Sequence, residues 1–167
     1  TERAGKKTTS KRITLVTDTT CDLPDDLIEK YNIKLIPIAV HVNQKNFLDR
    51  FNISTKEVID YLETTDCHVT TSQPPFQYFE NMYKKVGQES DEIISIHISG
   101  KLSGTYQAAC MASTASQYKD KIRVIDAKTS TVALGLLVIK AAQMIEEGLT
   151  ANQIISKLQL HIRRSKI

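Results

Sequence analysis

"HISGKLSGTYQAA", His97 to Ala109, is the stretch on which the reading of this chain turns. An apolar run, Ile93 to Ile98, leads into it and an alanine-rich run follows. Between them lie two glycines, two serines and a threonine. A buried strand passing through a loop of small residues into a helix is the repeating joint of an α/β protein. Gly100 and Gly104 let the backbone turn sharply or come close to a ligand. Ser103 falls at the helix N-terminus, where free N–H groups point outward. It reads equally as an N-cap and as a functional hydroxyl. No capping-box partner supports it, because Tyr106 stands three residues on.

Outward from this joint the alternation continues. Arg12 to Thr17 reads as a buried strand ending in the polar cluster "TDTTCD". Pro24 opens a helix to about Tyr31, with Asp25 and Asp26 in the first turn, where carboxylates favour the positive end of the dipole. Ile33 to Val42 is β-rich but broken by Pro37, which demotes part of it to an edge or a bulge. Val42 to Asp49 suggests a hairpin. "STKE" (Ser54 to Glu57) and "TANQ" (Thr150 to Gln153) fit capping boxes. Phe76, Phe79, Tyr83 and Val86 share one helix face. Further elements are a strand over Asp91 to Ile98, a helix over Ser103 to Gln117, a strand over Ile122 to Asp126, and a helix over Thr131 to Glu147 ended by Gly148. A last helix carries Ile154, Leu158 and Ile162. The expected fold class is α/β, with a mainly parallel sheet and helices on both faces.

Composition narrows the function. The 167 residues, 41% hydrophobic and 25% charged, suit a globular domain with a full core. The net charge of +3 is misleading. Residues 1–12 hold five basic side chains against Glu2, so residues 13–167 carry a net −1. No basic surplus remains for a nucleic acid. Residues 1–12 read as a disordered basic leader or tag remnant. No stretch is long enough to span a bilayer. Cys21, Cys67 and Cys110 are odd in number and far apart, which argues against a disulfide framework or a zinc site and suits a reducing, cytoplasmic setting.

Open parallel sheets bind ligands beyond the carboxyl ends of their strands. Three polar clusters fall at such places: "TDTT" (Thr17 to Thr20), "TTSQP" (Thr70 to Pro74) and "SGKLSGTY" (Ser99 to Tyr106). Together they would form a crevice of hydroxyls and backbone N–H groups suited to an anion. A P-loop is excluded by its glycine spacing, and G-x-G-x-x-G and G-x-S-x-G are absent. A Ser103/His97/Asp18 triad can be written down, though His97 shares a strand face with Ser99, only six residues from Ser103. His41, His68 and His161 lack metal-ligand spacing, and no paired carboxylates stand out.

In combination these motifs resemble the DegV family of fatty-acid-binding proteins. The resemblance rests on "ITLVTDTTCDLP" (Ile13 to Pro24), "YNIKLIPIAV" (Tyr31 to Val40), "TTSQPP" (Thr70 to Pro75), "ISGKLSGTYQAA" (Ile98 to Ala109) and "VIDAKTSTVALG" (Val124 to Gly135), in order. It implies a carrier, not an enzyme, that holds a long-chain fatty acid with its carboxylate at a Thr/Ser cluster and presents it to a separate fatty acid kinase. The matching head-group positions are Thr71 and Ser103, with Thr70, Ser72, Ser99 and Gly104 as neighbours. No catalytic residue, metal or cofactor is implied. The alternative is a serine hydrolase or acyl transferase using Ser103. Family members normally continue into a second α/β domain, so residues 13–167 correspond to the N-terminal domain, with the second family domain absent. Ala127 and Gly100 stand where serine is common.

Overall fold

The computed structural model describes residues 11–64 and 66–164. The expected leader therefore lies almost wholly outside the described residues. Two sheets are present where the sequence suggested one. The larger holds β1 (Ile13–Asp18), β2 (Lys34–Ile36), β6 (Glu92–His97) and β7 (Ile122–Asp126), all parallel, in the order β2-β1-β6-β7. The smaller is antiparallel, in the order β4-β3-β5, from β3 (Ala39–Val42), β4 (Lys45–Leu48) and β5 (Val69–Ser72).

Strand alternation divides the core of the parallel sheet. Ile94 and Ile96 of β6 pack with Leu15 of β1 under α5 (Thr131–Glu146) and α6 (Ala151–Arg164), beside α1 (Asp25–Lys30). Ile93 and Val16 face the other way, onto Phe79 and Tyr83 of α3 (Phe76–Glu89) and Ala108, Ala109 and Ala112 of α4 (Thr105–Ala115). The α/β class with helices on both faces is the observed one. α5 lies tight against the 3-10 turn Thr19–Cys21. A methyl group added at Gly135 would run into the Cys21 carbonyl oxygen and reach within 3.0 Å of the Leu23 side chain. Gly135→Ala is therefore expected to cost roughly 1–3 kcal/mol through overpacking, read as a melting temperature several degrees lower. An unchanged transition would contradict this packing.

The Pro37 break has a larger meaning than an edge or a bulge. It lies where the chain leaves the parallel sheet at β2 and enters the small sheet at β3. The hairpin β3–β4 turns through Asn43, whose φ of 53° is left-handed. α2 (Thr55–Leu62) covers the small sheet, closing Val40, Val42 and Ile53 under Val58 and Tyr61. Ser54 and Glu57 form a capping box, with Ser54 N–H donating to Glu57 at 2.8 Å. The Thr150–Gln153 box is also made. The small sheet is strapped to the first loop by Arg50, which donates to the Leu23 carbonyl at 2.6 Å and pairs with Asp25.

Candidate functional site

β1 leads to β2 on one side, while the chain later returns at β6 on the other. The strand order thus reverses between β1 and β6, and their carboxyl ends mark the crevice where open α/β sheets take ligands. Asp18 and His97 close those ends, and both are fully buried. His97 Nδ1 lies 2.9 Å from Asp18 Oδ2, and Nε2 lies 2.6 Å from Ser95 Oγ. Ser95 in turn meets Tyr83 OH at 2.8 Å. Asp18 also accepts from Ile98 N–H at 3.1 Å, from Thr20 N–H at 3.2 Å and from the Thr20 hydroxyl. Burial pushes the Asp18 carboxyl up, but the hydrogen bond and field of His97, with those of Thr20 and Ile98, outweigh it and hold it below the ordinary carboxylate value. Both His97 nitrogens are thus engaged in a structural relay. The Ser103/His97/Asp18 triad is not assembled, and Ser103 has no base in His97.

Beyond β6 the loop is stapled to its neighbour. Ser99 N–H donates to the Thr129 carbonyl at 2.9 Å, and Gly100 and Lys128 N–H both donate to Asp126. The Ser99 hydroxyl accepts from Lys101 N–H, and the residue is 4% exposed. Ser103 Oγ accepts from Thr105 N–H at 3.2 Å and meets the Thr105 hydroxyl at 2.8 Å. The helix itself begins at Thr105 with Gly104 as N-cap, two residues later than the sequence suggested, and ends at Ala115. Its first turn still presents N–H groups without an intrahelical partner.

"TTSQP" does not follow a strand of the parallel sheet, as the sequence suggested. Its first residues form part of β5, an edge strand of the small sheet. Asn43 N–H donates to the His68 carbonyl, which fixes that pair as hydrogen-bonded. Hydrogen-bonded pairs alternate in an antiparallel ladder, so His41·Thr70 and Ala39·Ser72 follow. The N–H group of Thr71 therefore points away from β3. Side chains alternate as well. Thr71 faces a cavity of about 610 Å³ that it shares with Leu23, Ile38, Val40 and Val58 and the charged group Asp22, Asp25, Asp49 and Arg50. Thr70 and Ser72 face the opposite side, where Ser72 meets His41.

The two hydroxyl loops meet through Gln73. A Cβ added at Gly104 would overlap the Gln73 carboxamide, so only glycine leaves room for this contact. Gln73, two residues beyond Thr71, thereby reaches Gly104, the residue after Ser103. Thr70, Ser72 and the tied hydroxyl of Ser99 stand outside this junction. The role of Gln73 was not singled out in the sequence, where it is one letter of a loop motif. Among the described residues no group of three His, Cys, Asp or Glu side chains is placed to hold a metal ion. No described helix is long and apolar enough to cross a membrane.

The fold is that of an α/β protein whose strand order reverses between β1 and β6, with polar loops at the carboxyl ends of both strands. The sequence profile of the DegV family, a family of uncharacterised proteins, matches residues 12–167. A DegV domain-containing protein of Clostridium perfringens is 41% identical over 139 residues, covering 83% of this chain and 50% of the relative. Another, from Clostridium acetobutylicum, is 36% identical over 148 residues, covering 89% and 53%. This chain belongs to the DegV family. It spans about half the length of these curated relatives. Among solved structures, a Thermus thermophilus DegV family protein described for its fatty acid binding superposes with a TM-score of 0.83 at 33% identity, covering 92% of this chain and 54% of that one. DegV of Bacillus subtilis, described as a fatty acid binding protein, gives 0.85 at 29% identity, covering 92% and 55%.

Proposed function

We propose that this chain binds a long-chain fatty acid, with the carboxylate at the junction of the two hydroxyl loops. The observation that carries the reading is the contact of Gln73 with Gly104, which joins the Thr71 strand to the Ser103 loop. Thr71 and Ser103 donate hydroxyls to the carboxylate, and the first turn of α4 adds backbone N–H groups and the favourable end of its dipole. The head group stays out of the charged end of the neighbouring cavity. There Asp22, Asp25 and Asp49 outnumber Arg50, which already pairs with Asp25. The acyl chain runs over Leu102, Val132 and Leu136, apolar side chains 62–67% exposed in and beside these loops. The relatives described as fatty acid binding proteins support this ligand class. We extend the proposal to a carrier role, in which the bound carboxylate is handed to a separate fatty acid kinase.

Chain length tests the ligand class. Each fully buried methylene contributes ~0.8 kcal/mol. If half of the added surface is covered, palmitate should bind about two-hundredfold tighter than octanoate, measured by calorimetric titration. Equal affinities would point to a small polar anion instead. Gly104→Ala should displace the flexible Gln73 side chain and weaken palmitate binding while the melting temperature hardly moves. Unaltered binding in this variant would remove the junction from the account.

A further inference from the structure

The face of the small sheet turned away from Thr71 carries a second constellation. Ser72 Oγ lies 2.8 Å from His41 Nε2, and His41 Nδ1 lies 2.7 Å from Asn46 Oδ1. The three residues sit on three adjacent strands, β5, β3 and β4, and both Ser72 and Asn46 are exposed. A carbonyl oxygen accepts only, so the Asn46 contact requires Nδ1 to carry the proton. Nε2 is then the basic nitrogen, facing the serine hydroxyl. This is the order nucleophile, base, orienting group, with both links inside hydrogen-bond reach.

From this geometry we propose that Ser72, His41 and Asn46 form a nucleophilic site that cleaves carboxylic esters or thioesters exposed to solvent. It does not rest on fatty-acid binding at Thr71 and Ser103, because Ser72 projects to the other face of β5. In the first step Ser72 Oγ bonds to the acyl carbon while His41 Nε2 takes the hydroxyl proton. The bond from the acyl carbon to the leaving oxygen or sulfur then breaks, and His41 returns the proton to the departing alcohol or thiol. In the second step water attacks the acyl–Ser72 ester and gives a proton to His41. The bond to Ser72 Oγ breaks, the serine regains its proton, and the carboxylic acid leaves. Asn46 holds the imidazole tautomer throughout.

The test uses the chain as it is, with two probes. A fluorophosphonate should add one phosphonyl group, located at Ser72 by peptide mass spectrometry. p-Nitrophenyl butyrate should be hydrolysed above the buffer rate. Ser72→Ala should fall to the buffer rate, His41→Ala should lose about a hundredfold, and Asn46→Ala about tenfold, with Asn46→Asp restoring the rate. The wild-type adduct needs no variant, so a substitution that perturbs folding leaves the test intact. No adduct, an adduct at another serine, or full turnover in Ser72→Ala would overturn the proposal. Palmitate affinity, measured separately, reports on the other face.

Discussion

Asp18→Ala is expected to lower the stability of this chain by about 3–5 kcal/mol, the cost of breaking a buried pair by removing one partner. The carboxylate accepts from His97, Ile98 and Thr20, and alanine leaves those donors without their acceptor in a closed site. Hydrogen bonds to charged groups are worth roughly 1.5–3 kcal/mol each, so loss of several reaches that range even if water replaces one. For a domain of this size the melting temperature should drop by about 10 °C. The same pair sets the acid limit. The folded carboxyl titrates below its ordinary 3.8. Its contribution is therefore present in full above that value and is lost as pH falls through the lower folded value. Thermal melts from pH 7 downward should show a loss of stability below about pH 4 that is smaller in Asp18→Ala. A variant that melts within a degree or two of the wild type would refute the role of this relay.

The double variant Thr71→Ala/Ser103→Ala is expected to lose about a hundredfold or more in palmitate affinity. In the proposed binding mode each hydroxyl donates to a charged group, worth roughly 1.5–3 kcal/mol, and the two share one ligand, so the losses need not add. Ser103→Ala also removes the acceptor for Thr105 N–H, at about 1 kcal/mol of stability. Affinity must therefore be measured well below the melting transition. Palmitate bound equally well by the double variant would place the carboxylate elsewhere.

The elements were largely legible because their signals are local. The two capping boxes, the apolar face of Phe79 and Tyr83, and the Gly148 stop are short-range patterns, and the parallel sheet follows from strand and helix alternation. The second sheet was not legible. β2 and β3 read as one run across Pro37, and no local pattern says that the proline moves the chain between sheets. For the same reason no local pattern tells that Thr70 to Ser72 belong to an antiparallel edge strand rather than to the end of a parallel one. The Asp18–His97 pair joins positions 79 residues apart, so no local pattern announces the relay that the fold makes. Thr71 and Ser103 were singled out through the family resemblance. Their link through Gln73 required three dimensions, because a glutamine in a loop carries no signal of what it touches. His41 and Asn46 were closer to reach. A two-residue turn at Asn43–Gln44 puts them directly opposite in the hairpin, but the bond to Ser72 crosses from a strand about thirty residues on.

A carboxylate held at the hydroxyl junction would show itself in a titration of palmitate and hexadecanol, equal in length, into the wild type and the Thr71→Ala/Ser103→Ala variant. The wild type should prefer the acid by about tenfold or more, the worth of at least one hydrogen bond to a charge, and the variant should lose most of this preference while hexadecanol binding hardly changes. An acid preference of the same size in both proteins would contradict this placement.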